Sequence, residues 1–187
     1  MDAKAYIIDL LNQAADRHGV DRRQVHAIAH IESRHRQWLP DGSVIRSRSG
    51  ALGVMQLMPA TAVGLGVNPS ILEENIEGGV RYFRQRLDLA AGDVNTAVAM
   101  YYAGIGNVRR ENALHWPRVQ RYLQSFHYLL DTPAIRQKAD FFPPVTPELP
   151  VAPVTPDLPT TPIVPAGHRW VIYVIIALVA IFYLMGR

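Results

Sequence analysis

Every third position from 144 to 165 is proline. Proline fixes φ near −65° and lacks an amide hydrogen, so this stretch can be neither helix interior nor central strand. A polyproline II helix has three residues per turn, which lines these prolines along one edge of a stiff rod of about 65–70 Å, at about 3.1 Å per residue. The 187 residues are thereby divided. A core must be built from residues 1–140, residues 141–167 read as a proline-rich linker, and residues 168–187 have no neighbouring segment with which to build a second core. A ligand for a proline-binding module is the alternative to a plain spacer. After His168 and Arg169 the chain runs uncharged from Trp170 to Met185. That length is near the lower limit for crossing hydrocarbon, and Trp170, Tyr173 and Tyr183 fit an interfacial aromatic belt. The run is read as a single C-terminal transmembrane helix meeting lipid through 170–185, with a buried or re-entrant helix as the alternative.

The first 140 residues are expected to be mainly α-helical. Ile7, Leu10, Leu11 and Ala14 recur at helical spacing in the opening segment. Asp21 followed by Gln24 resembles a capping box that opens a helix over 22–36. Pro59 suits the first turn of a short helix that Gly64 ends, and Ile76, Val80, Phe83 and Leu87 mark a helix over 75–90. Further helices are expected over 94–103 and 117–130. No sustained period-two alternation marks a sheet.

Composition narrows the function classes. There is no cysteine, which removes disulfides, thiolate ligands and thiol nucleophiles. Nineteen Lys plus Arg against 16 Asp plus Glu give a mildly basic chain, far from the clustered stripes of nucleic-acid binders, so no nucleic-acid partner is expected. The opening segment carries Asp2, Asp9 and Asp16 and has neither a basic n-region nor a long apolar run, so it does not read as a secretory signal. Seven histidines are present, but His26 and His30 lack the His-Glu-x-x-His pattern, and neither a metal nor another cofactor is expected.

On the helix after Asp21, Glu32 falls four residues beyond Ile28 and seven beyond Val25, on the apolar stripe. Burial penalises an ionised carboxylate and raises its pKa toward the range useful to a general acid. Taken alone, the same position suits a glutamate paired with Arg34, His35 or Arg36. Ser33 follows Glu32, and then comes Ser47-Arg48-Ser49-Gly50-Ala51-Leu52-Gly53-Val54-Met55-Gln56-Leu57-Met58-Pro59. Later come Ala99-Met100-Tyr101-Tyr102-Ala103-Gly104 and Tyr122. In this order the four motifs resemble the lytic transglycosylase family, related to goose-type lysozymes, and cover about residues 21–122.

The resemblance implies a lysozyme-like domain acting on the glycan strands of peptidoglycan. By it Glu32 is the catalytic acid, Ser33 helps orient it, Gln56 binds sugar, and Tyr101 and Tyr122 border the site; Met55, a residue type more often found in core packing, lines the groove by the same resemblance. Gln56 carries both amide donors and a carbonyl acceptor, which suits hydroxyl and acetamido groups. Ordinary glycoside hydrolysis employs two carboxylates, whereas one is matched here. In the family mechanism that one acid protonates the glycosidic oxygen between N-acetylmuramic acid and N-acetylglucosamine. It then takes the proton of the muramic 6-hydroxyl, leaving a 1,6-anhydro end. Asp41, the nearest acid downstream, could supply a second carboxylate and make the enzyme a hydrolytic lysozyme. A non-catalytic wall-binding or assembly protein is the third reading.

Two features depart from the family pattern. Tyr102 stands where the motif carries asparagine, so an aromatic that could stack on a pyranose ring replaces a sugar-binding amide. The stretch 34–46 is longer than usual and contains Trp38, a candidate sugar wall or loop anchor. A lone C-terminal anchor without a signal would leave the enzyme on the wrong side of the membrane for its substrate. A bacteriophage that carries a membrane in its virion resolves this, with the enzyme opening the wall locally at entry beside other virion proteins. The bacterial inner membrane, in a conjugation or secretion apparatus, is the alternative.

Overall fold

A computed structural model describes residues 2–141. The linker expected over 141–167, apart from its first residue, and the transmembrane helix expected over 168–187 lie outside the described residues. Among the described residues no helix is long and apolar enough to cross a membrane.

Among the described residues eight α-helices and one 3-10 turn follow one another: α1 (Ala3–His18), α2 (Arg22–Ser33), α3 (Pro59–Leu65), α4 (Leu72–Leu89), α5 (Val94–Ala103), α6 (Ile105–Arg110), the 3-10 turn Ala113–His115, α7 (Pro117–Leu130) and α8 (Pro133–Ala139). Helix α4 packs against α1 and α5, while α2 packs against α7, α8 and α1. Leu11, Val25, Ile28, Val80, Phe83 and Phe126 fill the space between them and are fully buried. The 3.6-residue period of Ile76, Val80, Phe83 and Leu87 thus does what it predicts and turns one stripe of α4 inward.

Three boundaries differ from the sequence reading, each for a local reason. Helix α2 stops at Ser33 rather than continuing to 36, because Arg34 and His35 both take left-handed φ values, 57° and 60°. Their amides return to the His30 and Ala29 carbonyls, closing the helix end. Helix α3 is closed by Gly66 at φ 67°, not by Gly64, which lies within the helix. Helix α4 begins at Leu72, so Asn75 sits inside the helix and is fully buried instead of starting it.

The turn at Arg34 and His35 sends the His35 side chain into the core, where it meets a buried polar chain. His35 Nε2 lies 3.1 Å from His26 Nδ1, and His26 Nε2 lies 2.9 Å from Asn12 Oδ1. Asn12 donates its amide hydrogens to the Lys138 and Phe141 carbonyls, which fixes its oxygen toward His26. A neutral His26 therefore donates through Nε2 and accepts from His35 through Nδ1. Burial disfavours the charged rings, pushing His26 down to about 3 and His35 to about 2. These histidines spend their nitrogens joining α1, α2 and the end of α8. Among the described residues no three His, Asp or Glu side chains are grouped so as to hold a metal ion.

Candidate active site

The segment between α2 and α3 contains no helix and no regular strand, only isolated bridges between Trp38 and Val44, Arg46 and Leu52, and Leu52 and Leu57. So long an irregular stretch inside a packed domain needs internal anchors for its backbone groups. Two buried amides supply them. Gln37 accepts from the Val54 amide through Oε1 at 2.9 Å and donates to the Ser70 carbonyl at 3.2 Å. Asn75 accepts from the Met55 amide at 2.9 Å and donates to the Leu52 and Pro69 carbonyls at 2.8 and 2.9 Å. Gly53 at φ 74° passes between them: a Cβ there would lie 2.5 Å from both the Asn75 amide nitrogen and the Gln37 oxygen. Sequence reading missed Gln37 and Asn75. The available signal was Asn75 itself, a polar residue beside Ile76 in the otherwise apolar stripe of α4.

The anchored segment is tied to the end of α2 by Ser33, which is buried and donates to the Val54 carbonyl at 2.8 Å, with the Ala29 carbonyl at 3.2 Å. Its oxygen accepts from the Arg36 amide. Ser33 thus holds the helix end on which Glu32 sits, through the backbone rather than through the carboxyl. Met55 has no exposed surface, and its side chain packs so closely on Gly79 that a Cβ there would stand 2.3 Å from Met55 Cβ. Its side chain packs in the core, the commoner of the two settings open to it, and not on an exposed groove wall. What it contributes is a carbonyl, which accepts from the Tyr101 hydroxyl at 2.7 Å. Gln56, also with left-handed φ at 47°, is partly exposed and donates one amide hydrogen to the Gly53 carbonyl.

Glu32 is partly buried in the last turn of α2. Its Oε1 accepts from the Tyr122 hydroxyl of α7 at 2.7 Å, ninety positions along the chain, rather than from Arg34, His35 or Arg36. Burial pushes the Glu32 carboxyl up to about 7, against the opposing pull of the Tyr122 hydrogen bond. Among the described residues no second carboxylate contributes to that shift. Tyr101 and Tyr122 are raised well above 10 by burial first and by the nearby Glu32 charge second, so both remain donors wherever Glu32 titrates. Tyr101 is braced edge-on by Tyr82 and Phe83. Tyr102, 40% exposed, stacks on Tyr122 with ring centroids 4.5 Å apart and an interplanar angle of 25°.

Two further candidates are placed elsewhere. Asp41 is exposed in its own turn, where Oδ1 accepts from the Ser43 amide and hydroxyl and these bonds hold the carboxyl low. That is the opposite setting to Glu32's. Trp38, 41% exposed, lines a recess with Lys4, Ile7 and Arg36.

The described geometry is therefore one largely buried carboxyl that accepts a hydrogen bond from a phenol. The family model of the transglycosylase SLT domain matches residues 9–116, and the chain belongs to that family. A transglycosylase of Enterobacteria phage PRD1 is 38% identical over 97 residues, covering 51% of this chain and 34% of that protein. The membrane-bound lytic murein transglycosylase F of Desulfosudis oleivorans is 36% identical over 108 residues, covering 54% and 22%. An inactive mutant of the lytic transglycosylase Slt from Pseudomonas aeruginosa shares the fold, with a TM-score of 0.57 at 23% identity over 69% of this chain and 24% of that one. The chain spans about a third or less of the length of these curated relatives. Tyr122 lies beyond the matched segment, so its place on Glu32 is a finding of the structure.

Proposed function

We propose that the chain is a peptidoglycan lytic transglycosylase that cleaves the β-1,4 bond between N-acetylmuramic acid and N-acetylglucosamine and leaves 1,6-anhydromuramic ends. The observation that carries this reading is the Glu32 carboxyl, raised to about 7 with Tyr122 on it and, among the described residues, no second carboxylate acting on it. Near neutral pH such a group is present in useful amounts as the acid, and once ionised it is basic enough to take a proton back. Glu32 gives its proton to the glycosidic oxygen as the bond to the anomeric carbon breaks. The resulting carboxylate removes the proton of the muramic 6-hydroxyl, whose oxygen closes onto the anomeric carbon. Glu32 ends protonated, and no water is consumed. Gln56 offers amide and carbonyl groups to the sugar, while Tyr101 and Tyr122 fix the walls around the acid. A hydrolase using the same carboxyl would need a second group to activate water, and Asp41, bound in its own exposed turn, is poorly suited to that. Mass spectrometry of digested sacculi separates the two: the proposal expects muropeptides one water lighter than hydrolysis gives, and reducing ends alone would refute it.

The name of the Desulfosudis oleivorans relative, a membrane-bound enzyme, supports a membrane setting. We place the acting domain in residues 1–140, a spacer in 141–167 and a lipid anchor in 170–185, with local wall opening during phage entry as the role. The proline period and the uncharged terminal run support this, as does the phage relative. In a detergent-partition assay the full chain should enter the detergent phase and a chain ending at Phe142 should stay in water. If the shortened chain aggregates instead, the terminal segment belongs to the core and the anchor is wrong.

A further inference from the structure

The residue that departs from the family motif touches the residue that touches the acid. Tyr102 lies in the last turn of α5 and Tyr122 rises from α7, two helices packed together. Their rings stack at 4.5 Å, and the hydroxyl of the inner ring donates to Glu32. An asparagine at 102 has no ring and could not make this contact. We propose that Tyr102 is a positioning residue: its ring holds Tyr122 against swinging, and so keeps the Tyr122 hydroxyl on the carboxyl through both proton transfers. The proposal rests on the reading of Glu32 as acid and base, and it gives Tyr102 a role other than contact with sugar.

The chemistry explains what such a clamp is for. A hydrogen bond from Tyr122 favours the ionised carboxyl and opposes burial. Without it the carboxyl would hold its proton more tightly, being a weaker acid toward the glycosidic oxygen and less well aimed when it must act as base. The titratable groups close to Glu32 include Tyr122 of α7 and Tyr101 of α5, both raised well above 10, and Tyr102 interacts with the same cluster. Tyr101 is already held by the Met55 carbonyl and by Tyr82 and Phe83. Tyr122 has its stack on Tyr102.

The test is the pH dependence of turnover by the full chain in detergent on peptide-free glycan strands. Because the free enzyme must start protonated, kcat/KM should fall on the alkaline side with the ionisation of Glu32. Y122F should move that limb upward by roughly half a pH unit to one unit, the bias of one hydrogen bond. Y102A should move it in the same direction, lower kcat about tenfold or more and change KM little. Y102F, which retains the ring, should restore the wild-type limb. In the Y122F background Y102A should add no further movement. A Y102A limb that stays in place while KM rises would make Tyr102 a substrate wall and overturn the proposal. A Y102A shift that adds in full to that of Y122F would overturn it as well. E32Q, measured alongside, separates the two levels: if it cleaves normally, the reading of Glu32 falls and Tyr102 falls with it, whereas an inactive E32Q with an unmoved Y102A limb refutes Tyr102 alone.

Discussion

Replacing Glu32 with Gln should lower cleavage by about 10²–10⁴-fold or more, since proton transfer is lost while shape and the acceptor for Tyr122 are kept. The same change should raise stability, but only at high pH. The carboxyl is raised from its ordinary 4.5 to about 7 in the folded chain, chiefly by burial. Between these values the folded state holds a proton that the unfolded state releases. The stability contributed by the neutral acid is therefore fully present below about pH 4.5 and is lost as pH rises through 7. At pH 8 the cost approaches about 3 kcal/mol as an upper bound, from roughly 1.4 kcal/mol per pKa unit. E32Q does not ionise, so its melting temperature should exceed the wild type's at pH 8 and match it near pH 4.5. Near-wild-type cleavage by E32Q, or equal melting temperatures at both pH values, would contradict the placement of this carboxyl.

Gly53→Ala should cost the domain about 3–5 kcal/mol, the range expected when a backbone conformation and a buried polar network are disturbed together. The new methyl would meet Asn75 and Gln37 at 2.5 Å while φ stays at 74°. Neither amide can retreat without releasing backbone groups of Leu52, Val54 or Met55 that it holds. Activity should fall further than stability alone explains, because the same residues carry the Ser33 tie and the Tyr101 brace. Gly50→Ala is the control. Its φ of 92° is also unfavourable, but the nearest atom to its Cβ is the Arg46 guanidinium at 3.8 Å. It should lose only about 1–2 kcal/mol. Thermal melts of the two variants side by side check this, and an equal loss in both would mean that φ, not the amide pair, limits the position.

Periodicity was sufficient for the long helices, since a stripe such as that of α4 leaves a 3.6-residue trace whatever it packs against. It failed where a tertiary contact overrides propensity. The residues around 34–36 can continue a helix, yet His35 is drawn inward by His26 and Ser33 is drawn to Val54, so α2 ends. Helices α6 and α8 are short and left no repeat to read, although Pro133 at the first turn of α8 was a start signal. The ordered motifs singled out Glu32, Ser33, Gln56, Tyr101 and Tyr122 as candidates, and the apolar stripe suggested the burial of Glu32 that the structure has. Sequence could not show that Tyr122 lies on the carboxyl, nor that Tyr102 lies on Tyr122, because both contacts join helices distant in sequence. Met55 is the instructive case, since a position inside a motif turned out to serve the core and to offer the site only its carbonyl.

In the proposed reaction one carboxyl performs both proton transfers and the nucleophile comes from the sugar. Digestion of sacculi by the full chain in ¹⁸O-labelled water tests it most directly. If the muramic 6-hydroxyl attacks the anomeric carbon, the new ends are anhydro sugars, and their masses are the same as those from ordinary water. If water attacks, each new end carries a reducing sugar with one labelled oxygen. The wild type should give unlabelled anhydro ends and E32Q no new ends, whereas labelled reducing ends as the first products would contradict attack by the 6-hydroxyl.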